Sequence, residues 1–294
     1  MLIHIGFPKT GSSYLQGWFD AHPRMYYQNH AITGFYHSHD IARYAESTDP
    51  IHDCFVLSSE DLSVWKGEVD IVGVKYARFY DVKAYHAKLS ETLHRIYPQA
   101  KMLIVTRGYI SYFSSLYAQY ISSGGALSFE VFHERFGSLF PVAYDITHIV
   151  TQYRQVMGDE NVIVLPYELL NSDPQTFTKL IEHEVGITEN FTGSKEKVNP
   201  SFDKKILATY LRVSNLLVRL ISPLPYKIQA KIYGFYVHKL NQKRPHPVMR
   251  FLARFTKKDI EMKGMEILVD SLKGRSEILR NEKLYQPYLK EYLL

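Results

Sequence analysis

The chain has 294 residues, of which 46% are hydrophobic and 22% charged, with a formal net charge of +5; this balance excludes a disordered chain and a bundle of membrane spans, and leaves room for one main domain. The single cysteine, Cys54, excludes an internal disulfide and a multi-cysteine zinc site, and fits a buried thiol beside a strand in a reducing compartment. The positive charge is regional: Lys204 to Lys258 holds thirteen Lys or Arg and no Asp or Glu, which leaves a balance of −8 elsewhere.

In chain order, the apolar run Leu2 to Gly6 predicts a first strand, and Leu15, Trp18 and Phe19 then recur at helical spacing. Short, partly β-branched runs at Cys54 to Leu57, Met102 to Val105 and Val162 to Leu165 predict further strands. Between and after them, helices are predicted at about Tyr76 to Ile96, Ile110 to Ser122, Phe129 to Phe136, Ile146 to Met157 and Gln175 to Val185. Alternating strands and helices imply an α/β fold, a mainly parallel sheet flanked by helices, which ends near Tyr167. Beyond Pro200 strand alternation stops, and helical spacing marks Ile206 to Ile221 and, after Pro223 and Pro225, Lys227 to Lys239. The expected organisation is an α/β core over residues 1–200 and a basic helical appendix over 201–294. No secretion signal or membrane span is read at Met1 to Ile5, so cytoplasmic residence is expected.

The chemistry is expected at Gly6-Phe7-Pro8-Lys9-Thr10-Gly11-Ser12-Ser13, between the first strand and the first helix. At such a junction the helix N-terminal N–H groups and the helix dipole attract an anion, and glycine permits close approach of the backbone. A phosphate-bearing ligand is the natural occupant. The Walker loop needs Lys directly after its second glycine; here Ser12 follows Gly11, and Lys9 lies two residues before it. A second feature is Ile104-Val105-Thr106-Arg107 at a strand end, with Ser115 eight residues on in the next helix. Arg offers a planar fork of charged donors and Ser a hydroxyl, a pair suited to a terminal phosphate.

The displaced lysine in Pro-Lys-Thr-Gly-Ser-Ser-Tyr-Leu resembles the 5'-phosphosulfate loop of the sulfotransferases that use 3'-phosphoadenosine-5'-phosphosulfate (PAPS), and the Arg107–Ser115 spacing resembles their 3'-phosphate site. Gly108-Tyr109 stands where that family often has Asn-Pro or Asp-Pro. Tyr167-Glu168-Leu169-Leu170, Asp173-Pro174 and Val185-Gly186-Ile187 are similar to a further family stretch, read here as architectural. The likeness spans roughly residues 2 to 201. It implies a P-loop-NTPase-like sulfotransferase fold, with Pro8, Lys9, Thr10, Gly11, Ser12 and Ser13 on the 5'-phosphate and Arg107 with Ser115 on the 3'-phosphate. Lys195 and Lys197, near Val198-Asn199-Pro200, occupy the place of a nucleotide-covering loop.

Sulfuryl transfer needs an in-line acceptor, a stabilised leaving phosphate and a base. Lys9, Glu60 and Ser115 are therefore the expected catalytic residues, with Glu60 of Ser58-Ser59-Glu60-Asp61 as base at the carboxyl end of a strand, and His30, His37 and His39 as its rivals. The loop and Arg107 bind the phosphates directly in this scheme, so no metal is expected. The basic region, interleaved with Leu, Ile, Phe and Tyr, is open to plain helix packing, to contact with an anionic membrane or glycolipid, or to a polyanion. The acceptor is expected to be a glycan, a glycolipid or a small hydroxylated molecule, and nucleic acid is not an expected partner. A P-loop kinase or ATPase, and a non-enzymatic protein binding membrane or polyanion, are the competing readings.

Overall fold

The computed structural model describes residues 1–27, 53–59, 62–63, 81–193, 202–240 and 245–293. Five parallel strands, β1 (Leu2–Gly6), β2 (Met25–Tyr27), β3 (Cys54–Ser59), β4 (Lys101–Thr106) and β5 (Val162–Pro166), form one sheet in the order β2-β3-β1-β4-β5. Successive side chains leave opposite faces, so Ile3, Ile5, Met102, Ile104, Val162 and Val164 join one core, while Leu2, Leu103, Val105, Ile163 and Leu165 join the other. Burial on both faces explains why these strands read as continuous apolar runs rather than alternating ones.

The helices are α1 (Ser12–Ala21), α2 (Val82–Ile96), α3 (Tyr109–Ser122), α4 (Phe129–Phe136), α5 (Phe140–Ala143), α6 (Ile146–Met157), α7 (Tyr167–Ser172) and α8 (Pro174–Glu184). Side-chain caps set several starts: Asp81 accepts from Lys83 and Ala84 N–H at 3.0 and 3.1 Å, Asp145 from His148 N–H at 2.9 Å, and Asp173 from Thr176 N–H at 3.0 Å. The helix expected from Tyr76 begins, in its described part, at Val82; residues 76–80 lie outside the described residues. The other four expected helices of the core match the observed ones within a residue at each end.

The last strand among the described residues ends at Pro166. Beyond residue 201 come α9 (Lys204–Ile221), α10 (Tyr226–Leu240), α11 (Pro247–Ala253) and α12 (Met265–Asp270), then 3-10 stretches at Glu277–Asn281 and Lys283–Glu291. Leu207, Tyr210, Met249, Leu268, Leu279, Tyr285 and Tyr292 are buried in the same apolar cluster as Ile3 and Ile104. This core is rich in tyrosine, and several of its buried hydroxyls find partners: Tyr117 donates to the Leu127 carbonyl at 2.9 Å, and Tyr109 meets Ser276.

Candidate functional site

From β1 the chain moves to β2 and β3 on one side, then crosses to β4 and β5 on the other. Strand order therefore switches between β1 and β4, the switch point at which open α/β sheets bind their ligands, in a crevice at the carboxyl ends of the strands. Two segments border it: the loop after Gly6 and the Arg107-Gly108 step after Thr106.

The loop is held from below. Phe7 is fully buried, edge-on to Tyr144 with ring centroids 4.8 Å apart. Its carbonyl accepts from the Thr10 hydroxyl at 2.7 Å, and Thr10 is 0% exposed. Ser12 is also buried, its Oγ 3.5 Å from the same carbonyl, whereas Ser13 is exposed. Of the expected phosphate contacts, then, the Thr10 hydroxyl is occupied inside the loop and the Ser13 hydroxyl faces outward. Lys9 has φ 69° and Gly11 φ 89°, both left-handed. Gly11 stands at the N-cap of α1, which has no side-chain cap and no acidic residue in its first turn, so the positive end of the helix dipole is not offset by its own side chains. A Cβ on Gly11 would lie 2.5 Å from Leu170 Cδ2, so the missing side chain makes room for α7; the expectation had tied this glycine to ligand approach alone.

Arg107 joins the two borders. Its Nη1 donates to the Lys9 carbonyl at 2.7 Å, its Nε donates to Ser111 Oγ at 3.0 Å, and its guanidinium carbon stands 4.4 Å from the Tyr167 ring centre. Tyr144, whose hydroxyl burial keeps protonated, accepts from Arg107 N–H at 2.7 Å and donates to the Arg107 carbonyl at 2.9 Å. These contacts occupy only part of the guanidinium donor set and leave the residue half-buried, so charged N–H groups remain for an anion. Ser115 sits half-buried one turn beyond Ser111 on the same face of α3, and Ser111 is the serine that accepts from Arg107 Nε.

The start of α3 is capped from a distance. Glu168 Oε1 accepts from Gly108 N–H at 2.9 Å, and its Oε2 accepts from the Tyr292 hydroxyl at 2.5 Å. Tyr285 and Tyr292, both buried, also meet the Thr106 hydroxyl at 2.7 and 3.2 Å. The C-terminal stretch thereby walls the β4 side of the crevice, and Glu291 packs against Gly108. Burial first, and then the neighbouring Glu168 charge, raise the Glu291 carboxyl above its ordinary range.

Two buried histidines brace the floor. Ser63 Oγ donates to the Gly6 carbonyl at 2.8 Å, the Ser63 carbonyl lies 3.0 Å from His86 Nε2, and His86 Nδ1 lies 3.3 Å from the Tyr153 hydroxyl. A neutral His86 with its proton on Nε2 satisfies this chain, and burial lowers its pKa to about 4. His4 pairs through Nδ1 with Ser58 Oγ at 2.7 Å, its Nε2 has no partner among the described residues, and burial lowers its pKa to about 3.

Glu60, His30, His37, His39, Lys195 and Lys197 lie outside the described residues. β3 ends at Ser59, in register with Ile5, and so reaches the same edge as the loop. The segment before residue 194 is pinned: Phe191 N–H donates to Glu182 Oε1 at 2.8 Å, and its carbonyl accepts from Trp18 Nε1 at 3.4 Å. Among the described residues no group of His, Cys, Asp and Glu is placed to hold a metal ion. Sequence reasoning missed Ser111, the capping role of Glu168, and Tyr285 with Tyr292. A Ser four residues after the strand-end Arg was the one available signal for the first; the others depend on contacts across sixty residues or more.

The model of a sulfotransferase family matches residues 2–191. Among solved structures, a sulfotransferase from Alicyclobacillus acidocaldarius is similar at 15% identity, over 78% of this chain and 97% of that one, with a TM-score of 0.49. No curated protein matches the chain.

Proposed function

The chain belongs to the sulfotransferase family, and from that premise we propose that it moves a sulfuryl group from PAPS to a hydroxyl or amine of a glycan, a glycolipid or a small hydroxylated molecule. The observation that carries the reading is the 2.7 Å bond from Arg107 Nη1 to the Lys9 carbonyl, which ties a half-buried guanidinium to the loop that opens the uncapped α1. Donors on that loop suit the 5'-phosphate, and Arg107, with Ser115 further along α3, suits the 3'-phosphate. In the step itself the acceptor oxygen or nitrogen attacks sulfur in line as the bond from sulfur to the bridging oxygen breaks. The acceptor proton passes to a base, for which Glu60 is the first candidate and His30, His37 and His39 the rivals. 3'-Phosphoadenosine-5'-phosphate departs with the bridging electron pair, and the Lys9 ammonium offsets the charge gathering there. Phosphate binding by the loop and Arg107 leaves no role for a metal ion in this scheme. Lys195 and Lys197 would cover the nucleotide. The same reading divides the chain at about residue 200 into a donor-binding core and a basic helical part, and puts it in the cytoplasm at a membrane face.

The test is transfer of radiolabelled sulfate from PAPS to a panel of glycans and glycolipids, by the native chain and by Lys9→Ala and Glu60→Gln. Label transferred by the native chain and cut at least about a hundredfold in Lys9→Ala supports the reading. Transfer unchanged in Lys9→Ala, or phosphoryl transfer from ATP in its place, contradicts it.

A further inference from the structure

The basic region 204–258 puts its apolar side chains to two uses, and the structure separates them. On α10, Tyr233 is buried with its hydroxyl donating to the Gly124 carbonyl, and the Tyr236 hydroxyl meets Ser214 Oγ at 2.8 Å. These contacts fix the face that packs on the molecule. Ile228, Ile232 and Phe235 follow one another at i, i+4 and i+7, a stripe turned away from that face, and are 46%, 38% and 66% exposed. The Lys239 ammonium lies 5.7 Å from the Phe235 ring centre.

The neighbouring helices add to this surface. α9 packs against both α10 and α11. Leu220 on α9 is 66% exposed, and Phe251 and Phe255, whose rings meet edge-on at 5.3 Å, are 55% and 70% exposed. Single exposed leucines need no explanation, but large aliphatic and aromatic side chains exposed on α10, on α9 and on α11 with the turn after it do. The segment that bears them has thirteen Lys or Arg and no carboxylate. A second copy docking on the same patch would set this positive surface against itself across a two-fold axis. Apolar stripes bordered by lysine and arginine match the interface of an anionic bilayer. No described helix is long and apolar enough to cross a membrane, which leaves contact in the plane of the interface.

We propose that α9, α10 and α11 form a docking surface for anionic phospholipid, with Leu220, Ile228, Ile232, Phe235, Phe251 and Phe255 entering the acyl boundary and the basic side chains meeting the headgroups. The inference deepens the membrane-facing part of the proposed function and is independent of its chemistry. The surface joins the core near Gly124, and one length of α3, ~20 Å at helical rise, separates that end from Arg107.

The experiment is cosedimentation of the full chain with phosphatidylglycerol–phosphatidylcholine vesicles and with phosphatidylcholine alone, using the native chain, Phe235→Ser/Phe255→Ser and Lys227→Gln/Lys231→Gln. The expected result is binding to the anionic vesicles only, weakened about tenfold or more in both double variants. Circular dichroism and binding of 3'-phosphoadenosine-5'-phosphate should match the native chain in each variant. Three results would overturn the proposal: no vesicle binding, binding that ignores the phenylalanines and follows charge alone, or a dimer in solution that Phe235→Ser/Phe255→Ser dissociates. Nucleotide binding lost by the native chain while vesicle binding stands would count against the transfer chemistry alone.

Discussion

Lys9 is held at φ 69°, a backbone state that costs a side-chain-bearing residue roughly 1–2 kcal/mol. Such strain persists where surrounding contacts impose it, and here the Lys9 carbonyl is gripped by Arg107. Lys9→Gly should therefore match or exceed the native chain in melting temperature while binding 3'-phosphoadenosine-5'-phosphate at least tenfold more weakly, about 1.4 kcal/mol. A native-like affinity in this variant would remove the ammonium from the donor site. Arg107→Ala should lose about tenfold to a hundredfold, because it deletes a charged donor and also the tie to the loop. The pH dependence of stability follows from His4 and His86, whose pKa values fall to about 3 and about 4 in the fold. Both are lowered, so the unfolded chain binds their protons first as pH falls. Stability should hold above about pH 6.5 and drop below it, down to about pH 4 for His86 and about pH 3 for His4, each contributing about 1.4 kcal/mol per pH unit in its range. Thermal unfolding of His86→Gln across that range checks this: a shallower acid slope than the native chain supports the assignment, and an unchanged slope contradicts it. Sequence showed Lys9 and Arg107 as candidates because loop spacing and strand ends are local. The hydrogen bond from Arg107 to Ser111 was not legible, since Ser111 and Ser115 share one side of α3 and only the fold shows which of them Arg107 meets.

At the level of elements, the crevice depends on α7 closing over the loop and on the C-terminal stretch closing over α3. Gly11→Ala would force a methyl to 2.5 Å from Leu170 at a left-handed position, and should cost roughly 1–3 kcal/mol in denaturant unfolding. Tyr292→Phe removes the hydroxyl that Glu168 accepts, and should cost about 1 kcal/mol of stability with a several-fold loss of nucleotide affinity as the cap on Gly108 loosens. An unchanged affinity would mean that the C-terminal wall is structural only. The core helices were readable because their apolar spacing is regular and turn residues bound them, as at Ser128 and Asp145. β2 was not, since three residues are too few to establish a pattern and its place follows from pairing with β3. The six-residue α7 and the 3-10 stretches after Ser276 escaped for the same reason, although they supply Glu168 and Tyr285 and place Tyr292 just after them.

Across the whole molecule, residues scattered from Gly6 to Tyr292 converge on the edge where strand order reverses between β1 and β4. Composition and alternation were enough to read a parallel sheet with flanking helices, because both follow from local sequence. They could not divide the apolar residues of 204–258 into those that pack, such as Tyr233, and those that face outward, such as Phe235, since helical spacing is shared by both. In the proposed function, the loop at Lys9 and the guanidinium of Arg107 together form a site for a bisphosphorylated nucleotide. Calorimetric titration of the metal-free native chain with 3'-phosphoadenosine-5'-phosphate, beside ATP and the Lys9→Ala and Arg107→Ala variants, tests it most directly. Binding of the bisphosphate without magnesium, weakened in both variants and absent for ATP, is the predicted result; no binding, or a preference for ATP with magnesium, would contradict it.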